Sequence, residues 1–339
     1  MSQHESTPSH QRRRFLGTAA AGLAATAMAG NALGAPSAQA QRQQAAALKD
    51  PATLYVHATF PSQTQPWPGM ASRMQPRPDH GEKSYRGSGK MTGRKVLITG
   101  GDSGLGRAAA IAMAREGADV AINFLPAEQE DANEVLELIE AAGRKAVALP
   151  GDLRSEDFCK SLVARAAEQL DGLDCLINCA GRQHYHESIL DLSTEEFDWT
   201  LKTNLYALFW LVKAAIPHMP PGSSIVNTAS SNSYDPNEII VDYAMTKAAI
   251  ANFTHSMAKQ LIDKGIRMNA VAPGPFWTPL QVCGGQPMSQ VEKYGESVPL
   301  GRPGQPAEIA STYVILATAE STYLTGQVFG ITGGTGAPG

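Results

Sequence analysis

Val96-Leu97-Ile98-Thr99-Gly100-Gly101-Asp102-Ser103-Gly104-Leu105-Gly106 is the stretch that decides the fold of this chain. A short apolar run closes on glycines, and an alanine-rich stretch over 105–115 follows, so the segment reads as strand, tight turn and helix. Such a turn suits a nucleotide phosphate. Gly100 permits the turn, Gly104 lets the backbone approach a pyrophosphate, Gly106 lets the helix pack closely, and the helix N-terminus draws negative charge. The spacing is G-x-x-x-G-x-G rather than the commoner G-x-G-x-x-G. Glycine-rich turns are frequent, so the weight comes from what surrounds this one.

Outward from it, the pattern alternates. Buried-type strands are expected at 120–122, 146–149, 175–178, 225–228, 268–272 and 327–331, with helices at 130–142, 157–169, 197–215, 243–264 and 306–317. Strands alternating with helices imply an α/β fold: a Rossmann-type, doubly wound parallel sheet with helices on both faces. The expected catalytic domain is single and spans 91–339.

Tyr243-Ala244-Met245-Thr246-Lys247 carries the chemistry. Four positions apart on a helix, the phenol and the ammonium project from one face. A free phenol has a pKa near ~10, and roughly three units of depression costs about 4 kcal/mol. An ammonium about 4 Å away at an effective dielectric near ~20 supplies about that much. The pair is therefore expected to be a proton-transfer device.

Together with Asp152-Leu153, Asn178-Cys179-Ala180-Gly181, Asn204, Ser230 and Pro273-Gly274, these motifs resemble the short-chain dehydrogenase/reductase family over about residues 93–334. The Pro-Asp-His-Gly-Glu-Lys-Ser-Tyr run at 78–85 and the Gly-Gly-Asp-Ser-Gly loop look most like its aldehyde-reductase and glucose-dehydrogenase-like branch. The resemblance implies a catalytic tetrad of Asn204, Ser230, Tyr243 and Lys247. In it, Tyr243 exchanges a proton with the substrate oxygen, and Lys247 lowers the tyrosine pKa and holds the nicotinamide ribose. Ser230 hydrogen-bonds the substrate oxygen, and Asn204 holds a water that links Lys247 to solvent. By the same resemblance a cofactor rests on Gly100, Asp102, Ser103, Gly104, Leu105 and Gly106. Asp152, beside Leu153, accepts from the adenine amino group; Asn178, Ala180 and Gly181 line the cofactor; Pro273, Gly274 and Thr278 flank the nicotinamide. Cys179 departs from the family's usual second asparagine.

Cofactor choice turns on Phe124, which stands where NAD-specific relatives carry an aspartate. Its absence removes a bar to NADP, and Asn123 and Arg107 are the nearest groups that could meet a 2′-phosphate. NADP is expected, with NAD as the alternative. The expected activity interconverts a small aldehyde or ketone and its alcohol. A sugar or polyol dehydrogenase is the nearest alternative, and a non-catalytic nucleotide sensor, which would usually lack the tyrosine or the lysine, is the alternative of another class.

The remaining sequence bounds this reading. Of 339 residues, 43% are hydrophobic and 18% charged, so a large core is possible. Arg12-Arg13-Arg14-Phe15-Leu16, an Ala- and Gly-rich stretch, and Ala38-Gln39-Ala40 predict a twin-arginine signal over 1–40 and a periplasmic destination. Alanine and glycine are too weakly apolar for stable membrane insertion. Without residues 1–40 the chain keeps 25 basic against 31 acidic residues, a net of −6, which argues against nucleic-acid partners.

Residues 41–90 are rich in proline yet carry Tyr55, Phe60, Trp67 and Tyr85, so an arm lying along the catalytic domain or a neighbouring subunit is expected. Four cysteines show no C-x-x-C spacing and read as buried small hydrophobes. Substrate walls are expected at 183–187, 232–236 and 276–294, the last a long loop. His184 and His186 lack a third ligand nearby in sequence, so no metal is expected. Surplus apolar residues on the helices near 197–215 and 243–264, among them Leu208, Trp210, Leu211, Ile250 and Phe253, predict a homo-oligomer, and the family resemblance implies a tetramer.

Overall fold

Successive residues of a single strand packing to opposite sides show how the sheet is built. In β1 (Lys95–Thr99), Val96 and Ile98 face one hydrophobic cluster and Leu97 faces the other, as a period of two requires of a strand covered on both sides. The computed structural model describes residues 48–55 and 59–336, so the expected signal at 1–40 lies outside the described residues. Residues Lys49–Gly339 form one compact unit.

Seven strands make one parallel sheet in the order β3-β2-β1-β4-β5-β6-β7. After β1 come β2 (Asp119–Phe124), β3 (Ala146–Pro150), β4 (Cys175–Asn178), β5 (Ser224–Thr228), β6 (Arg267–Pro273) and β7 (Val328–Ile331). The helices are α1 (Gly104–Arg115), α2 (Gln129–Ala141), α3 (Glu156–Leu170), α4 (Thr194–Leu201), α5 (Ala207–Ala215), α6 (Val241–Leu261), α7 (Met288–Val291) and α8 (Ala307–Ala317). One face of the sheet is covered by α1, α2 and α8, through residues such as Ala109, Val135 and Tyr313. The other is covered chiefly by α3, α5 and α6, through Leu162, Leu211 and Leu261. The chain reverses its winding between β1 and β4, and the crevice beyond the carboxyl ends of these strands is where α/β sheets bind ligands.

Every expected strand is present; the run 276–294, expected as a long loop, instead contains the turn Gln281–Gly285 and α7, and one expected helix is interrupted. The run expected as one helix at 197–215 is α4, a π-helical turn at Lys202–Tyr206, and α5. Asn204 sits inside that turn, where the extra residue turns its amide inward.

The proline-rich segment packs on the Rossmann body. Phe60 stacks on Trp277 with ring centroids 3.8 Å apart, and the Trp277 indole donates to the Pro76 carbonyl at 2.8 Å. Asp131 of α2 accepts from the backbone N–H groups of Ala71 and Ser72 at 2.5 and 3.2 Å. Arg115 donates to the carbonyls of Gly81, Glu82 and Tyr85. Among the described residues no helix is long and apolar enough to cross a membrane, and all four cysteines are free.

Candidate active site

The glycine turn is forced by close packing of backbone on backbone. A Cβ on Gly106 would stand 2.0 Å from the Gly100 carbonyl oxygen, so only glycine lets α1 start this close to β1. Ser103 caps α1 without a side-chain hydrogen bond to its first turn, which leaves first-turn N–H groups for a ligand. Thr99 Oγ1 accepts from the N–H groups of Cys179 and Ala180 at 3.1 and 3.2 Å and so ties the turn after β4 to the turn after β1.

A cleft of about 520 Å³ runs along these strand ends. Gly100, Asp102, Ser103, Gly104, Leu105, Gly106, Asn123, Phe124, Asp152, Leu153, Ala180, Gly181, Pro273, Gly274 and Thr278 line it, and so do Tyr243 and Lys247. The donor turn, the close backbone approach and the cleft together fit a dinucleotide. Asn178 does not line the cleft; it lies beneath, where its amide donates to Asn227 at 2.9 Å.

Tyr243 and Lys247 enter from the first two turns of α6. The lysine Nζ lies 5.4 Å from the centre of the tyrosine ring and donates to the Thr228 carbonyl at 2.7 Å. Burial pushes Tyr243 up to about 12, against a hydrogen bond from Ser230 that lowers it, and burial pulls Lys247 down to about 8. The depression of the phenol expected from the ammonium is therefore not realised in the protein alone. The two groups share one buried site, and burial disfavours the charged form of each.

Ser230 and Asn204 stand behind this pair rather than on the cleft wall. Ser230 Oγ accepts from Asn232 N and Nδ2 at 3.1 and 3.3 Å. Asn204 Oδ1 accepts from the Arg182 N–H at 2.7 Å, and Nδ2 donates to the Arg182 carbonyl and to Thr246 Oγ1 at 2.9 and 3.0 Å. Its amide thus anchors the chain just after Gly181, and a Cβ on that glycine would be 3.7 Å from both Asn204 Oδ1 and Lys247 Nζ.

A family model described as enoyl-(acyl carrier protein) reductase matches residues 100–336. The chain is 56% identical over 290 residues to the oxidoreductase YhxD of Bacillus subtilis, covering 85% of this chain and 97% of that protein. It belongs to the short-chain dehydrogenase/reductase family. This dehydrogenase/reductase is also 41% identical to the glucose and ribitol dehydrogenase of Daucus carota, over 81% of its own length and 96% of the carrot protein. Its fold matches a short chain dehydrogenase of Burkholderia cenocepacia solved in complex with NADP, with a TM-score of 0.68 and 31% identity over 73% of this chain and 100% of the other. The chain is thus an oxidoreductase with the family's seven-stranded Rossmann sheet.

Several expectations for this reductase need correction. Arg107, considered for a 2′-phosphate, is 1% exposed and turned away from the cleft, held by Glu134 at 2.8 Å and Glu82 at 3.2 Å. Asn123 does line the cleft, but its amide nitrogen is spent on the carbonyls of Leu149 and Gly151 at 3.0 and 3.2 Å. Of the expected substrate walls, only Phe276, Thr278, Pro279, Leu280, Gln281 and Cys283 reach the cleft; 183–187 and 232–236 do not.

The third group that His184 and His186 lack in sequence comes from α4: Glu196 brings the three ligand atoms within 4.8 Å of one another. Arg182 holds its guanidinium 3.8 Å from that carboxylate, so a cation already faces Glu196 and the cluster reads as an ion-pair network. Asp152 is likewise engaged: burial raises it, but three hydrogen bonds from the Arg154 guanidinium leave it below the ordinary carboxylate range.

Sequence reasoning missed Trp67, Pro68, Gly69, Glu128, Arg154 and Trp199 as cleft residues. Arg154 and Arg182 lie over the Trp199 ring at 4.5 and 4.7 Å, a placement set by tertiary packing alone. Only the aromatic content of the arm hinted at its part.

Proposed function

We propose that this protein interconverts a small aldehyde or ketone and its alcohol with NADP or NAD, using Tyr243 as the proton donor and acceptor. The observation that carries the reading is the entry of Tyr243 and Lys247 into the same cleft that the glycine turn opens into. A nicotinamide cofactor bound there would supply or accept the hydride. The glycine turn and the start of α1 would hold its phosphates, and Pro273, Gly274 and Thr278 line the same cleft as Tyr243 and would flank its nicotinamide. Tyr243, kept protonated by burial, gives its proton to the carbonyl oxygen in reduction and takes it back in oxidation. Ser230 hydrogen-bonds the phenol, and Lys247 is held in place by the Thr228 carbonyl. Asn204 fixes the backbone at Arg182 and so the turn beside Lys247. Trp67, Pro68 and Gly69 wall the cleft on the arm side.

Replacing Tyr243 by Phe removes the transferable proton and keeps the ring. Turnover should fall by about 10²-fold or more with cofactor affinity nearly unchanged, and wild-type turnover in that variant would sink the mechanism.

The name of the carrot relative favours a second reading, a sugar or polyol dehydrogenase. Initial rates on simple aldehydes against aldoses and polyols, each with both cofactors, separate the two. Residues 1–40 are proposed to direct export to the periplasm by the twin-arginine route, and the protein is proposed to be a tetramer.

A further inference from the structure

A short loop of the proline-rich arm lies between two sides of the cleft, and the chemistry above does not use it. Gln65 closes this loop on itself: its side-chain amide accepts from the Met70 N–H at 2.7 Å and donates to the Met70 carbonyl at 3.1 Å. One amide thus takes both backbone bonds of a residue five positions on, as a neighbouring strand would. Gln63 repeats the device further out and accepts from the Gln75 N–H at 3.0 Å. The ring so formed fixes the tip residues Trp67, Pro68 and Gly69, and all three line the cleft.

The loop is tied to both sides. Toward the segment after β6, the Gln65 N–H donates to the Val282 carbonyl at 2.8 Å, and a Cβ on Gly69 would stand 3.0 Å from both Cys283 Cβ and the Pro279 carbonyl oxygen. Toward α2, the N–H groups of Ala71 and Ser72 donate to the buried Asp131 carboxylate at 2.5 and 3.2 Å. Pro279 and Cys283 line the cleft on the first side, and Glu128, just before α2, lines it on the second. The start of α1 lies between them. A Cβ on Gly104 would meet Thr278 Cγ2 at 3.3 Å, and Arg107 donates to Glu134 of α2 at 2.8 Å.

We propose that the loop Gln65–Met70 is a strap across the nucleotide site: closed, it bridges the two sides above the start of α1, and its opening sets how fast nucleotide enters and leaves. The inference rests on the nicotinamide-dinucleotide reading of the cleft. With its phosphates at the start of α1, a dinucleotide has its middle between the two sides and beneath the loop. The arm stays in place when the tip lifts, because one buried tryptophan holds it on either side of the loop. Trp277 stacks on Phe60 before the loop and donates to the Pro76 carbonyl after it. Motions of such segments gate binding and release in many enzymes.

The test is stopped-flow binding of NADPH to the full chain, followed by the fluorescence of the reduced nicotinamide, with release measured by displacement with excess NADP. In the wild type the observed association rate should level off as NADPH is raised, because opening of the strap becomes limiting. Gln65→Ala removes both bonds that shape the loop. Association at low NADPH and release should then both speed up by about tenfold or more, since a gate slows the two directions alike. Asp131→Asn, which weakens the tie on the opposite side, should act in the same sense. A wild-type association rate that rises linearly to the limit of measurement overturns the inference and needs no variant to fold. Faster release with unchanged association in folded Gln65→Ala overturns it equally, because the loop would then be a plain contact. Failure of both NADPH and NADH to bind the wild type would instead overturn the nicotinamide reading on which it rests.

Discussion

Burial acts on single residues of this protein in two opposite senses, and each has a measurable consequence. Asp102 and Glu128 are raised in the folded state above their unfolded values, first by burial. The native state therefore binds protons there that the unfolded chain has released. Their contribution to stability is fully present below the unfolded carboxylate range, near ~4, and is lost as pH rises through the folded values. The melting temperature of the nucleotide-free protein should accordingly fall between about pH 5 and about pH 7.5, and Asp102→Asn/Glu128→Gln should flatten that fall. A flat wild-type profile would contradict the cause given. Lys247, lowered to about 8 by burial, acts in the other sense, adding stability only as pH rises beyond that value. For Tyr243, raised to about 12, the phenol is the resident form across the neutral range. Alcohol oxidation, which needs the phenolate, should speed up from about pH 7 to about pH 10, whereas carbonyl reduction should not. Initial rates in both directions at saturating nucleotide decide this.

At the scale of elements, the proline-rich arm and the turn at Gln281–Gly285 act as one wall. The Gln65 N–H donates to the Val282 carbonyl at 2.8 Å, the Phe60 N–H donates to the Glu292 carbonyl at 3.2 Å, and the Phe60 ring lies flat on Trp277. Phe60→Ala removes a buried aromatic and leaves Trp277 half-packed, at a cost of about 3 kcal/mol. The variant should melt lower and release nucleotide faster in a stopped-flow displacement. Unchanged release would mean that the arm does not control the cleft. The π-helical turn Lys202–Tyr206 is a second device at this scale. Its apolar pattern at 197–215 is that of an ordinary helix, so nothing local in the sequence marks it. What marks it is the set of three side-chain hydrogen bonds that Asn204 makes to Arg182 and Thr246, residues far away in the chain.

For the whole molecule, Leu208, Trp210, Leu211, Ile250 and Phe253, expected as surplus, pack into the core instead, and it is Tyr206, Phe209, Val241 and Met245 that the outer faces of the Lys202–Tyr206 turn, α5 and α6 leave exposed. These are large apolar groups on adjoining helices, and a symmetric pairing of copies would cover them. Light scattering at micromolar concentration should report a tetramer, and Phe209→Glu should shift it to smaller species; a monomeric wild type would contradict the proposed assembly. Export is tested separately. Arg12→Lys with Arg13→Lys should leave uncleaved protein in the cytoplasm, and wild-type protein that also stays there with residues 1–40 intact would end the signal proposal.

The order of strands and helices was legible because each element announces itself locally: β1 by a short apolar run that closes on glycines, α1 by glycines followed by alanines, and the Tyr243–Lys247 pair by helical spacing. Gly104 followed from the glycine turn itself, whereas Thr278 was implied only by the family resemblance. Only the tertiary structure decided what depends on distant segments meeting. It brought Trp67–Gly69 of the arm to the cleft and drew Arg107 away to Glu82 and Glu134. It also reversed the expected sign at Tyr243, because sequence spacing sets which groups can meet, whereas their burial in the fold sets which protonation state each favours.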